Sequence, residues 1–218
     1  MKHRFFAEFL GTYILVFAGT GAIVVNEITG GVIGHAGIAL TFGLVVAAMI
    51  YTFGEVSGAH LNPAVSISFA VAGRFPAADL PAYLAAQMLG ALSASISLKL
   101  LFPDSSRLGM TLPAGTASQS FILEIILTAI LMLTILSVSH GAKEKGITAA
   151  IAIGSVVGLE AMFAGPISGA SMNPARSLGP ALASGHFGHI WLYPFATILG
   201  AILAIPLFKI TRKPETNP

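Results

Sequence analysis

The chain has 218 residues, of which 55% are hydrophobic and 9% charged, with a mean hydropathy of +0.86. A soluble domain carries about 25% charged residues, so the composition excludes one and leaves room for six membrane spans of ~20 residues with short connections. A net charge of +2 carried by loops and tails excludes a basic nucleic-acid-binding face, and the absence of cysteine excludes disulfides and thiol chemistry.

The first apolar run, Phe5–Val25, follows Lys2 and Arg4 as the core of a signal peptide would. It outlasts a short signal h-region and belongs to an internal repeat, so it reads as a retained span. Ile33–Phe53 is the second span. Asn62–Val71 is an apolar piece about half the length needed to cross a bilayer, and Pro81–Phe102 is the third span. After the longest connection, Pro103–Ala117, the order returns: spans Phe121–Ser139 and Ile147–Phe163, a second short piece Asn173–Ala183, and span Ile190–Phe208. Gly-rich or polar connections lie at Glu27–Gly34, Gly73–Asp79, His140–Gly146 and Ser184–His189.

The two short pieces open alike. Ser57-Gly58-Ala59-His60-Leu61-Asn62-Pro63-Ala64-Val65-Ser66 returns 111 positions later as Ser168-Gly169-Ala170-Ser171-Met172-Asn173-Pro174-Ala175-Arg176-Ser177. Asn is a preferred helix N-cap and Pro suits the first helical position, so each copy predicts a helix that begins at membrane depth. The spans repeat too: Phe5, Glu8 and Thr12 match Phe121, Glu124 and Thr128; Gly43, Val45 and Val46 match Gly154, Val156 and Val157; Tyr83, Ala86, Leu89, Gly90 and Ala91 match Tyr193, Ala196, Leu199, Gly200 and Ala201. A three-span repeat enters the membrane from the opposite side in its second copy. The halves, about 5–102 and 121–208, are then inverted, and their short helices meet near the midplane. The expectation is an all-α membrane protein, one domain over residues 1–218, with six spans and two half-helices.

Lys2, Arg4, Arg74, Lys143, Lys145, Lys209, Arg212 and Lys213 fall on one side of this layout, Arg107 on the other, and Lys99 near the end of its span. The positive-inside rule then places both termini in the cytoplasm.

Asn62 and Asn173 are the leading functional residues. Each carboxamide oxygen is expected to cap its own half-helix, leaving the NH2 to point into a cavity and bind a water at the midplane. A water that accepts from both amides turns its hydrogens outward and interrupts proton relay, while the positive helix ends repel cations. The bland reading makes both Asn caps in a packed bundle, and the duplicated context weighs against it. Arg176 is read as lining an aqueous path near the outer mouth, against the alternative of a buried ion pair. Glu8 and Glu124 are either a proton relay or acceptors for backbone N–H groups of the segments leading into the half-helices; their symmetry favours the second. His60 reads as a pH gate or as a histidine satisfied by neighbouring carbonyls, the second being favoured. Glu55 and Glu160 have no counterpart in the other half and are placed near a vestibule or a helix end. The six His residues show no metal spacing, no cofactor motif appears, and no nucleophile elbow or P-loop gives enzymatic chemistry a foothold.

SGAHLNPAVS and SGASMNPARS, with the Glu8/Glu124 and Tyr83/Tyr193 frames, resemble the signature boxes and helix repeats of the aquaporin, or major intrinsic protein, family over nearly all of residues 5–208. GRFPAADLPAYLAAQ and FAGPISGASMNPARSLGPA look closest to its nodulin-like members and their bacterial relatives. The resemblance implies a homotetramer in the lipid bilayer of the cell membrane, with one pore per subunit, passing water and small neutral solutes. The solutes implied are glycerol-like polyols and metalloid acids. It implies that carbonyls of Gly58, Ala59, His60 and Leu61, and of Gly169, Ala170, Ser171 and Met172, line the path. It implies a selectivity filter at Phe42, Ala161, Ala170 and Arg176, where water-selective members carry His in place of Ala161 and nodulin-like members often carry Trp in place of Phe42. A one-residue slip across the Gly165-Pro166 bend names Met162 or Glu160 instead of Ala161. Two other readings compete: a strictly water-selective pore, and an ion- or proton-coupled transporter, which also has inverted repeats and broken helices.

Overall fold

The computed structural model describes residues 1–139 and 143–211. His140–Ala142 of the fourth connection, and Arg212 and Lys213 of the charge count, lie outside the described residues. The first half contains α1 (Lys2–Ile28), α2 (Gly34–Ser57), α3 (Pro63–Val71) and, after one 3-10 turn at Ala77–Asp79, α4 (Leu80–Leu101). The second half repeats them as α5 (Ala117–Val138), α6 (Lys143–Ser168), α7 (Pro174–Ser184) and α8 (Leu192–Thr211). Six of these helices are long and apolar enough to cross a membrane. Helices α3 and α7, with 9 and 11 residues, span about 14 and 17 Å at ~1.5 Å per residue, roughly half the ~30 Å hydrocarbon core.

The side chains are sorted as a bilayer requires. On α1 the buried face carries Glu8, Gly11, Thr12 and Gly19, whereas Phe6 and Leu10 point outward. Leu44, Ile122, Ile126, Leu159 and Phe195 are likewise outside. With lipid outside, large apolar groups gain nothing by moving inward, and small residues let backbones approach. A methyl group on Gly43 would lie 2.7 Å from Gly154 O, which brings α2 and α6 into backbone contact. Helices α1 and α4 pack closely, as do their counterparts α5 and α8. The half-helices cross between repeats. Helix α7 lies mainly against α4 and α3 mainly against α8; Ser68 Oγ donates to Ala201 O at 2.8 Å.

Helix α6 departs from the sequence expectation. Its span was expected to stop at Phe163, before a Gly165-Pro166 bend, yet the helix runs through Pro166 to Ser168. Proline has no N–H to offer the carbonyl four residues earlier, which here is Met162 O. His35 Nε2 lies 2.6 Å from that oxygen and supplies the missing donor from α2. Replacing His35 with Ala is expected to destabilise the protein by about 0.5–1.5 kcal/mol, the net value of one hydrogen bond. A fall in the thermal midpoint relative to a His35→Gln variant, which keeps a donor, checks it.

Candidate functional site: the meeting point of two half-helices

Both half-helices begin as their sequences dictate. Asn62 and Asn173 hold extended backbone (φ −156° and −150°) before Pro63 and Pro174 at the first helical positions. Asn62 Oδ1 accepts from Ala64 N at 2.9 Å, and Asn173 Oδ1 from Ala175 N at 2.9 Å and Arg176 N at 3.4 Å. The expectation of wholly free NH2 groups needs correction. Asn62 Nδ2 donates to Met172 O at 2.8 Å, and Asn173 Nδ2 donates to Leu61 O at 2.9 Å. Each amide thus ties its half-helix to the approach segment of the other. A carboxamide carries two N–H bonds, so one proton per Asn remains for the cavity that both residues line.

The approach segments are bent in the same way. Gly58, Ala59 and Leu61 have φ of +85°, +46° and +49°; Gly169, Ala170 and Met172 have +87°, +42° and +53°. Left-handed backbone at the four non-glycine positions costs on the order of 1–3 kcal/mol each, so other groups must hold it. Glu8 does so in the first half: Oε1 accepts from His60 N (2.9 Å) and Ser57 Oγ (2.7 Å), and Oε2 from Leu61 N (2.7 Å) and Gln87 Nε2 (2.8 Å). In the second half Glu124 accepts from Ser171 N (2.8 Å), Met172 N (2.9 Å) and Ser168 Oγ (2.7 Å). Tyr83 and Tyr193 hydroxyls close the same turns by donating to Ser57 O and Ser168 O at 2.7 and 2.9 Å. Gln87 has no counterpart, since Thr197 stands at the matching position and bonds within its own helix. His60, Leu61, Ser171 and Met172 turn their N–H groups to the carboxylates, and Gly58–Leu61 and Ala170–Met172 border the cavity.

That cavity, about 150 Å³, runs from Ser139 and Ala149 at one end past both Asn to Phe42 and Arg176. Beyond them opens a vestibule of about 620 Å³, lined in part by Glu27, His35, Arg107 and Gly109. Four residues line both spaces: Phe42, Ala161, Ala170 and Arg176. Neither neighbour of Ala161 takes its place. Met162 is 39% exposed, and Glu160 is buried away from both spaces.

Arg176 is 2% exposed, with its guanidinium carbon 5.0 Å above the Phe42 ring centre, a cation–π contact. Its Nη1 donates to Gly109 O at 2.9 Å, and no carboxylate pairs with it among the described residues. Gly109 lies in the connection between the halves at φ +67°, where a methyl group would fall 2.7 Å from Thr20 O. Only glycine brings that carbonyl to the arginine.

His60 is held by a hydroxyl rather than by the neighbouring carbonyls expected from the sequence. Its Nδ1 lies 3.0 Å from Ser66 Oγ, and its ring packs among Phe69, Phe75 and Tyr83 with centroids 4.9, 4.9 and 5.1 Å away. Glu55 is exposed near the end of α2. Glu160 is buried inside α6, and neither of its carboxylate oxygens has a partner among the described residues. Sequence reasoning missed Gln87, Gly109 and His35; Gln87 was discoverable as a lone amide in an apolar span.

Taken together, the inverted halves, the paired half-helices and the internal passage define a polytopic membrane protein built around a pore-like cavity. The model of the family described as "Major intrinsic protein" matches residues 1–208. The chain is 46% identical over 215 residues to "Aquaporin NIP1-1" of Zea mays, covering 97% of this chain and 76% of the relative. It is 46% identical over 207 residues to "Nodulin-26" of Glycine max, covering 94% and 76%. The solved aquaglyceroporin from Plasmodium falciparum superimposes with a TM-score of 0.86 at 27% identity, covering 96% of each chain. The chain belongs to the major intrinsic protein family.

Proposed function

We propose that the whole chain acts as one channel domain, passing water and small uncharged solutes of glycerol size down their gradients in either direction while excluding protons and ions. The observation that carries this reading is the set of four residues shared by cavity and vestibule. Phe42 offers a flat apolar wall and Arg176 a fixed donor, while Ala161 and Ala170 contribute only methyl groups. A polyol or metalloid acid then keeps its hydroxyls on Arg176 and nearby carbonyls, with its apolar face on Phe42. Anions are attracted by Arg176 but lose bulk hydration on entry and are slow to leave. Likeness to a solved aquaglyceroporin supports the same solute size.

The coupled-transporter reading needs a carboxylate free to bind and release an ion. Glu8 and Glu124 already accept four and three bonds, two of each from backbone N–H groups, so the geometry favours a passive, structural pair. We also propose that both termini face the cytoplasm, at the end carrying Arg4 and Arg74. Each copy of a homotetramer in the cell membrane would use its own passage, which lies within a single chain.

Proteoliposome swelling tests the proposal. The wild-type protein is expected to conduct water and glycerol without a pH gradient. Ala161→His fills the opening and adds a donor, and is expected to lower the glycerol-to-water ratio about tenfold or more, the order of discrimination that small volume changes give. Rejection of glycerol, urea and boric acid alike by a water-conducting wild type, or an unchanged ratio in Ala161→His, overturns it.

A further inference from the structure

We infer that Gly19, which does not itself touch the passage, sets the width of the constriction by leaving the Phe42 ring room against the bare backbone of α1. The inference rests on the solute passage proposed above. A methyl group at Gly19 would lie 2.5 Å from Phe42 Cδ1, 2.6 Å from Cζ and closer still to Cε1. The ring therefore occupies the space a side chain would take. Its other surroundings leave little slack: Phe42 is 8% exposed, and the Arg176 guanidinium lies 5.0 Å from its centre. What remains open beside the ring is the passage it lines. A methyl group at Gly19 displaces the ring into that opening. Glycine is also the poorer helix former at an interior helical position, so local helix stability gives no reason for it there. Gly21, two residues on, offers a contrast: a methyl there would meet Leu98 Cδ2 at 3.3 Å, and Gly21 lines neither space.

Gly19 is thus a positioning residue acting through Phe42, and its effect must show in solute selection rather than only in stability. The experiment compares wild type, Gly19→Ala, Gly21→Ala, Phe42→Leu and Gly19→Ala/Phe42→Leu in proteoliposomes, with water and glycerol permeability measured on the same vesicles. Gly19→Ala is expected to lower the glycerol-to-water ratio about tenfold or more, as one added methyl does in a tight pocket, while Gly21→Ala leaves it unchanged. Leu at position 42 vacates the ring's space, so the double variant is expected to match Phe42→Leu alone. An unchanged ratio in folded Gly19→Ala overturns the inference, as does a loss that persists undiminished in the Phe42→Leu background. If Gly19→Ala alone does not fold, the double variant must fold and match Phe42→Leu; failure of both overturns it. If the wild type conducts water but rejects glycerol, the proposed solute range fails. The role of Gly19 is then read from water alone, which must fall in Gly19→Ala and recover in the double variant.

Discussion

Replacing Glu124 with Leu is expected to deprive the protein of its folded state. The substitution removes the acceptor for Ser171 N, Met172 N and Ser168 Oγ, all buried. The serine hydroxyl can turn to another partner, but the two amides are fixed by backbone at φ +42° and +53° on Ala170 and Met172. Each orphaned donor costs about 1–3 kcal/mol, and the strained backbone loses the contact that held it. The sum is a large part of the ~5–15 kcal/mol that stabilises a typical fold. Glu124→Gln keeps one acceptor oxygen but turns an NH2 toward one of the same donors, so it is expected to fold with reduced stability and to conduct without dependence on a proton gradient. Thermal unfolding in detergent and swelling assays with and without a pH gradient check both variants. Gradient-driven transport that requires the Glu124 carboxylate would move the protein to the coupled-transporter class.

Glu8 and Glu124 also show what the sequence could carry. Their pairing was legible because each stands in the same frame ahead of the same segment, and two copies of one problem have one local solution. The spans and the Asn-Pro starts were legible for the same reason, being set by apolar length, the N-cap and the first-turn proline. What could not be read depends on placing residues far apart in sequence. The bond from Asn62 to Met172 O joins positions 110 apart, and the repeat pattern alone does not say how closely the two segments approach. The continuity of α6 through Pro166 was hidden likewise, because the donor that compensates for proline, His35, sits on another helix. The asymmetry between the halves was hidden too: nothing local announces that Gln87 serves Glu8 while Thr197, at the matching position, bonds within its own helix and not to Glu124.

The cross-links change what the Asn residues are expected to do when replaced. Leu at either position removes the cap, worth about 1 kcal/mol, together with the bond to the opposite segment and the proton left for the cavity. Asp is the sharper probe. One carboxylate oxygen still caps the half-helix, but the other replaces an N–H that points at a carbonyl 2.8 Å away in the case of Asn62 and 2.9 Å in the case of Asn173. Acceptor then faces acceptor, and the segments at the midplane are pushed apart. The added charge also inverts the electropositive field of the two helix N-termini, which by itself disfavours cations. Asn62→Asp/Asn173→Asp is therefore expected to lose both stability and exclusion: a lower thermal midpoint, reduced water permeability, and a cation leak detectable as dissipation of an imposed potassium gradient. Asn62→Asp alone keeps one cross-link and one positive helix end, so its leak is expected to be smaller. A double variant that conducts water normally and still holds the potassium gradient would show that neither the amide donors nor the helix ends govern passage at the midplane. Selectivity would then rest on Phe42, Ala161, Ala170 and Arg176 alone.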